Sequence, residues 1–343
     1  MHMADALLSP AVGLTMGAVS AGAMALSVSR INKDDLSDKK VPLMAVSGAF
    51  VFAAQMINFT IPATGSSGHI GGGMLLAALL GGYPSFLTLS VVLIIQALFF
   101  ADGGLLALGC NIFNMGLIPC LLVYPLVFRP LLKRGVSYKS LTLASILSVV
   151  SGLQLGSLGV VLETAASGVT ELPLNAFLLV MQPIHLAIGL VEGIITAAIL
   201  GFVHRMRPDL VEAAQSVPST PKVTFKKVLA LLAVLTVLTG GILSLYASKN
   251  PDGLEWSIEK VAGTSELSAE NPLHESAAFI QDRTALMPDY DYTSENSSTI
   301  PGTSLAGLIG GGLTFLLAGV TGLVLSRIKK KKPQFTRLRE NQY

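Results

Sequence analysis

The chain has 343 residues, of which 51% are hydrophobic and only 13% charged, with a mean hydropathy of +0.64. That balance excludes a water-soluble globular domain and points to an all-α, multi-pass membrane protein. The net charge of +2 acquires meaning only when resolved by location, and no nucleic-acid partner is expected.

The first feature in chain order is the start itself, Met1-His2. A free α-amine, the amide nitrogen of residue 2 and the His2 Nδ1 can close two fused rings on one metal ion. A fourth corner is left for another imidazole, and a square of four nitrogens suits Ni(II) or Cu(II), and Co(II) less well. A bound divalent ion drives the deprotonation this requires. The segment has no Lys or Arg ahead of its apolar run and its first charge is Asp5, so it does not read as a signal peptide.

Apolar stretches of bilayer-spanning length follow at 9–29, 41–60, 84–101, 105–127, 140–162, 176–203, 228–247 and 303–326. A shorter, glycine-rich piece at 70–82 is needed as a further crossing by the topology, giving about nine. Charge supports the odd number. With the N-terminus outside, all 23 basic residues except Lys249, Lys260 and Arg283 fall in inner segments. Polar residues 211–224 then read as a cytoplasmic linker between a seven-helix module, 1–210, and a two-helix module, 225–343. The second module carries an outer segment, 248–302, with ten acids and three bases, either a cation-concentrating field or a solvated loop.

The outer face then collects the candidate ligands. His69 sits in TGSSGHIGGG, whose flexibility would let its imidazole approach the terminus; the bland reading is a surface histidine beside a turn. Asp102 opens a tight outer turn with Gly103-Gly104, and Asn111 and Asn114 share a helix face three residues apart. Buried amides of that kind either link helices or support a site. His185 and Glu192 lie two turns apart on one face, where ionisable groups in a membrane helix count as functional candidates or form a hydrogen-bond network. Small residues Gly17, Ala18, Ala21, Gly22 and Ala25 allow close helix contact on the first crossing, within the bundle or with a partner. Cys110 and Cys120, about 15 Å apart along a helix, are expected to pack as small hydrophobes. The chain has no GxxxxGK[ST] phosphate loop, HExxH or GxSxG, and so no signature of an ATPase or hydrolase.

The start M-H-x-x-D-x-L-S-P, then AFVFAAQMINFTIPATGSSGHIGGG (49–73), QALFFADGGLLALGCNIFNMG (96–116) and PIHLAIGLVEGIITAAILGFVHRMRPDL (183–210), resemble the nickel/cobalt substrate-binding membrane subunit (M type) of energy-coupling-factor transporters. PDGLEWS at 251–257 resembles the small accessory subunit (N type), here fused to it. Met3, Ala4, Ala6 and Leu7 depart from the usual family start, which leaves the path of the N-terminal segment open. The resemblance implies a non-enzymatic, metal-capturing component of an ABC importer in a prokaryotic cell membrane. Its partners would be a coupling membrane subunit and cytosolic ATPases. The substrate would be Ni2+ or alternatively Co2+, held by Met1, His2 and His69, with no resident cofactor. Asp102, Asn111, Asn114, His185 and Glu192 stand as candidate supporting residues. A secondary metal transporter or channel is the rival of another class, and a membrane metalloenzyme lacks an acid/base pair beside the histidines.

Overall fold

The computed structural model describes residues 1–31, 36, 39–170, 172–211, 222–264, 267, 271–292 and 301–328. Residues 212–221 of the expected linker and the basic tail from 329 onward lie outside these described residues.

The helices, in chain order, are α1 (Pro10–Arg30), α2 (Lys40–Gln55), α3 (Gly73–Leu80), α4 (Gly82–Phe100), α5 (Leu108–Leu132), α6 (Tyr138–Ser167), α7 (Leu174–Met206), α8 (Phe225–Gly241), α9 (Gly253–Ala262), α10 (Pro272–Thr284) and α11 (Gly302–Ile328). Six of them, α1, α4, α5, α6, α7 and α11, are long and apolar enough to cross a membrane. The protein is thus an all-α multi-pass membrane protein. One small antiparallel ribbon, β1 (Phe59–Ile61) with β2 (Ser66–Gly68), interrupts the helices between α2 and α3.

The shortness of the glycine-rich segment has a physical explanation. All eight residues of α3 are buried, and α2, α4, α5, α6 and α7 surround it. A helix that meets no lipid need not match the thickness of the hydrocarbon layer, because its ends are solvated by protein. Gly72 and Gly81, both with positive φ, let the chain turn sharply at its two ends.

Around this pin, α6 packs against both α7 and α5, while α2, α8 and α11 form a second group. α5 is wound loosely in its middle, where Pro119 and Pro125 each remove a backbone donor. The helices of the second group are joined by small residues. Gly240 and Gly307 bring the backbones of α8 and α11 into contact, so that a Cβ on Gly307 would collide with the Gly240 carbonyl oxygen. The ring of Phe52 on α2 fills the space over Gly310. Without a hydrophobic driving force between helices in lipid, such close packing is what holds them together.

Helix α1 behaves differently. Ser9 caps it, accepting from the Val12 amide, and Pro10 occupies its first position. Gly17 meets Gly109 of α5, but Ala18, Ala21, Gly22 and Ala25 all face outward. Cys110 and Cys120 are buried and unbridged.

Candidate metal centre

The N-terminus is held in place from three directions. The Met3 amide donates to Asn111 Oδ1 at 2.8 Å, while Asn111 Nδ2 and the Gly104 amide donate to the Met3 carbonyl at 3.2 and 2.9 Å. Asp5 Oδ1 accepts from the Ala107 amide at 2.8 Å. From the second module, His274 Nε2–H donates to the Leu8 and Asp5 carbonyls at 2.9 and 3.1 Å. Asn111, from the start of α5, therefore fixes the path of residue 3 rather than touching the imidazoles.

Met1 is 7% exposed, and its amine lies 3.5 Å from His69 Nε2 and 2.5 Å from Asp252 Oδ2. The His2 and His69 rings stack, with centroids 5.4 Å apart and planes inclined by 21°. The structure thus brings together the amine and the two imidazoles singled out by the sequence, at one end of the bundle.

The loop carrying His69 does not reach the terminus by flexibility. Ser66–Gly68 is a buried strand, and Ser67 donates through its amide to the Pro251 carbonyl and through Oγ to the Asn250 carbonyl, both at 2.8 Å. Trp256 Nε1–H donates to the Thr64 carbonyl at 3.0 Å. The outer acidic segment is likewise no solvated loop over its described part. α9 and α10 cover the site: Gln281 donates to the Ala97 and Gly103 carbonyls at 2.8 Å, and the Tyr290 hydroxyl donates to Asp102 Oδ2 at 2.5 Å.

Hydrogen bonding fixes which nitrogen of each histidine carries its proton. His69 Nδ1–H faces the Ile70 carbonyl at 3.1 Å, leaving the Nε2 lone pair toward the Met1 amine. For His2 the assignment runs through two amides. The Gly71 carbonyl can only accept, so Gln55 Nε2 donates to it at 2.9 Å. Gln55 Oε1 then accepts from Gln96 Nε2 at 2.9 Å, which turns Gln96 Oε1 toward His2 Nε2 at 3.2 Å. His2 Nε2 must therefore hold the proton, and Nδ1 is the open lone pair. Nδ1 faces Asp102 Oδ1 at 3.2 Å. An imidazole lone pair against a carboxylate oxygen is repulsive unless a cation sits beside both.

Burial, and then the terminal ammonium and the neighbouring His2, push His69 down to about 3. Burial also lowers His2, with the ammonium adding to it and Asp102 opposing. Both rings are thus neutral near pH 7, as metal ligation requires. Asp252 experiences burial, which raises it, but the ammonium and His69 outweigh this and hold it below the usual carboxylate range. Its other oxygen caps α9, accepting from the Leu254 and Glu255 amides at 2.7 and 2.9 Å. Among the described residues no group of three or more His, Cys, Asp or Glu side chains is arranged to hold a metal. A metal at this face accordingly depends on backbone nitrogen as well as side chains.

A cavity of about 40 Å³, room for a few water molecules, lies beside the terminus and is lined by Met1, His69, Asp252, Asn114, His185 and Glu192. Asn114 Nδ2 donates to Glu163 Oε2 at 2.7 Å. His185 and Glu192 do not bond each other: His185 Nδ1–H donates to the Met181 carbonyl at 2.8 Å, and Glu192 Oε1 accepts from the Gly72 amide at 2.9 Å.

Sequence reasoning missed Gln55, Gln96, Asp252 and His274. The two glutamines are visible as lone amides in apolar runs, which seldom go unbonded in a membrane. Asp252 is visible as the start of a capping box, Asp-Gly-Leu-Glu, though only its local role can be read from it. His274, with Glu275, reads in the sequence only as part of the acidic segment that could concentrate cations, and nothing marks it as a clamp on the N-terminus.

Fold and site define a multi-pass α-helical membrane protein with a nitrogen-rich pocket at the end where its N-terminus is held. The chain belongs to the family described as the cobalt uptake substrate-specific transmembrane region (CbiM), which matches residues 2–210, and a PDGLE domain matches residues 226–327. An M-type region and an N-type region are therefore fused in one polypeptide, in line with the resemblance in the sequence. The putative fused nickel transport protein NikMN of Archaeoglobus fulgidus is 31% identical over 310 residues, covering 90% of this chain and 94% of that protein. The cobalt transport protein CbiM of Geobacter sulfurreducens is 31% identical, covering 80% of this chain and 81% of its own. A crystal structure of a truncated transition metal transporter superposes with a TM-score of 0.53 at 30% identity, covering 60% of this chain and 99% of that one.

Proposed function

We propose that the chain is the substrate-specific component of an energy-coupling-factor importer that takes up Ni(II), with Co(II) as the competing substrate. The Met1 amine, the His2 amide nitrogen, His2 Nδ1 and His69 Nε2 hold the ion in a flat nitrogen square. The observation that carries this reading is the paired assignment of protons: His2 Nδ1 and His69 Nε2 are the two open lone pairs, on stacked rings beside one amine. Nickel is favoured over cobalt because four in-plane nitrogens stabilise its low-spin form. The Archaeoglobus fulgidus relative, named as a putative fused nickel transport protein, supports the same choice.

The reading needs a free amine at Met1. It divides the chain into a capture module, 1–210, a cytoplasmic linker, 211–224, and an accessory module, 225–343, with nine crossings once α2, α3 and α8 are counted with the six long helices. Energy comes from separate cytosolic ATPase subunits through a coupling membrane subunit, and this chain catalyses nothing. The outward row of Ala18, Ala21, Gly22 and Ala25 on α1 supports a docking helix for that coupling subunit.

Purified untagged protein should bind one Ni2+ tightly, as a yellow diamagnetic species. His2→Ala, His69→Ala or a short uncleaved N-terminal extension should each abolish that binding while leaving the thermal transition in place. Unchanged nickel affinity in all three would reject the chelate. Metal uptake by cells that persists without ATP would instead favour a secondary transporter.

A further inference from the structure

The cavity beside the terminus contains two buried groups that the outer chelate does not use. His185 is 1% exposed and Glu192 3% exposed, and both line the cavity together with Met1 and His69. Each has one atom fixed and one left open. His185 Nδ1–H is given to the Met181 carbonyl, and Nε2 has no partner. Glu192 Oε1 accepts from the Gly72 amide, and Oε2 has no partner.

The arrangement at His185 repeats that at His69. In both rings Nδ1–H is donated to a backbone carbonyl, which leaves Nε2 as the lone pair. That of His69 meets the Met1 amine and that of His185 has no partner, and both residues line the same cavity. This is how a protein prepares an imidazole to ligate metal, because the fixed tautomer orients the ring and raises its basicity. A buried carboxyl oxygen without a donor is costly, and a cation beside it, taking the place of a proton, relieves that cost. Thioether side chains of Met74 and Met115 line the remaining wall and are soft enough to pass a transition metal.

The two groups are also ordered along the transport direction. In the topology proposed above, α7 starts on the outer side at Leu174 and runs to the inner, basic end, where His204 and Arg205 occupy its last turn. At 1.5 Å per residue His185 lies about 16 Å along it and Glu192 about 27 Å, near the middle of the helix.

We propose that His185 Nε2 and Glu192 Oε2 form a second, weaker station for a partly hydrated divalent transition-metal ion, the first stop after it leaves the outer chelate. The ion reaches both groups directly or through water, since two helical turns separate them. The station rests on the outer chelate as the entry site but binds through different atoms. Glu192 also anchors Gly72, three residues beyond His69, so the loop that loads the ion at the outside ends on the residue that receives it.

The test uses the purified full chain and Ni2+ alone in equilibrium dialysis, with Cu2+ electron paramagnetic resonance to count the nitrogens on each bound ion. Wild type should show one tight and one weak site. His185→Gln and Glu192→Gln should each lose the weak site and keep the tight one, since the amide oxygen in Glu192→Gln still accepts from the Gly72 amide. His2→Ala should do the reverse, so loss of the outer chelate and loss of the inner station are read separately. Cellular nickel uptake by either glutamine variant should fall at least tenfold with the half-saturating concentration unchanged. Saturation of wild type at one ion per chain would overturn the proposal. So would wild-type uptake in both glutamine variants, or a Glu192→Gln variant that loses tight binding, which would make Glu192 only an anchor of the His69 loop.

Discussion

Asp252 Oδ2 lies 2.5 Å from the amine of Met1, across 251 residues of sequence and between the two fused modules. The carboxylate belongs to the accessory module and is locked by its own helix cap, while the amine belongs to the capture module. The accessory module therefore supplies a fixed negative charge at the point where a divalent ion would displace a proton from the amine. Asp252→Asn keeps a good helix cap but removes that charge. We expect the thermal transition to move little and nickel affinity to fall about tenfold, the upper range for breaking a buried pair being a few kcal/mol. Calorimetric titration checks it, and unchanged affinity would show the contact to be incidental to metal.

The relay from His2 through Gln96 and Gln55 to the Gly71 carbonyl predicts a second effect. Gln96→Leu removes the acceptor that holds the His2 proton on Nε2, so the ring can take the other tautomer and donate Nδ1–H to Asp102. Loss of such an outer partner costs about 10- to 100-fold in metal affinity. Gln55→Leu should cost a similar factor by releasing Gln96. Because both act on one chain of bonds, the double variant should be little worse than either single one. Additive losses would mean that the two amides act independently.

Much of this site is legible in the sequence, and the remainder is hidden for identifiable reasons. Met1, His2 and His69 can be read because chelate geometry singles out the terminus and the charge asymmetry of the loops puts His69 on the same side of the chain's topology. The all-helical membrane fold follows from apolar length. The shortness of segment 70–82 is plain in the sequence, but only contact with five other helices explains why it can be short. Gln55 and Gln96 look like interhelical glue, and only their partners reveal that they set a tautomer. Asp252 and His274 are hidden because they reach the N-terminus through tertiary packing of a segment whose composition reads as solvated.

The packing of α8 against α11 should depend on Gly307 more than on any polar contact. A Cβ there would run into the Gly240 backbone, and backbone cannot swing aside as a side chain can. Gly307→Val should force α8 and α11 apart, at the order of 1–3 kcal/mol seen for overpacked interiors. The expected readout is a lowered thermal transition together with weakened nickel binding, since Asp252 and His274 would be carried off the N-terminus. Gly312→Ala, on the same helix with open space at its Cβ, should leave both unchanged. A normal metal site in Gly307→Val would show that the outer segment holds its place without the helices beneath it.

Acid stability should report the buried imidazoles. In metal-free protein His69 titrates at about 3, against an ordinary value of 6.5, and His2 is lowered in the same direction, in each case chiefly by burial. The unfolded chain therefore binds protons at these rings before the native protein does. Stability rises with pH wherever the unfolded state binds more protons. The contribution from neutral imidazoles is then complete above the ordinary value of 6.5 and is lost progressively as pH falls from there toward about 3. Asp252, held low by the ammonium and His69 despite its burial, extends the loss below the ordinary carboxylate value of 3.8, while Asp5, raised by burial, works against it. Thermal unfolding of chelator-treated protein should accordingly show a falling transition temperature from neutral pH downward. His69→Gln, which cannot take up a proton, should flatten that slope, and an equal slope in the variant would place the acid-sensitive group elsewhere.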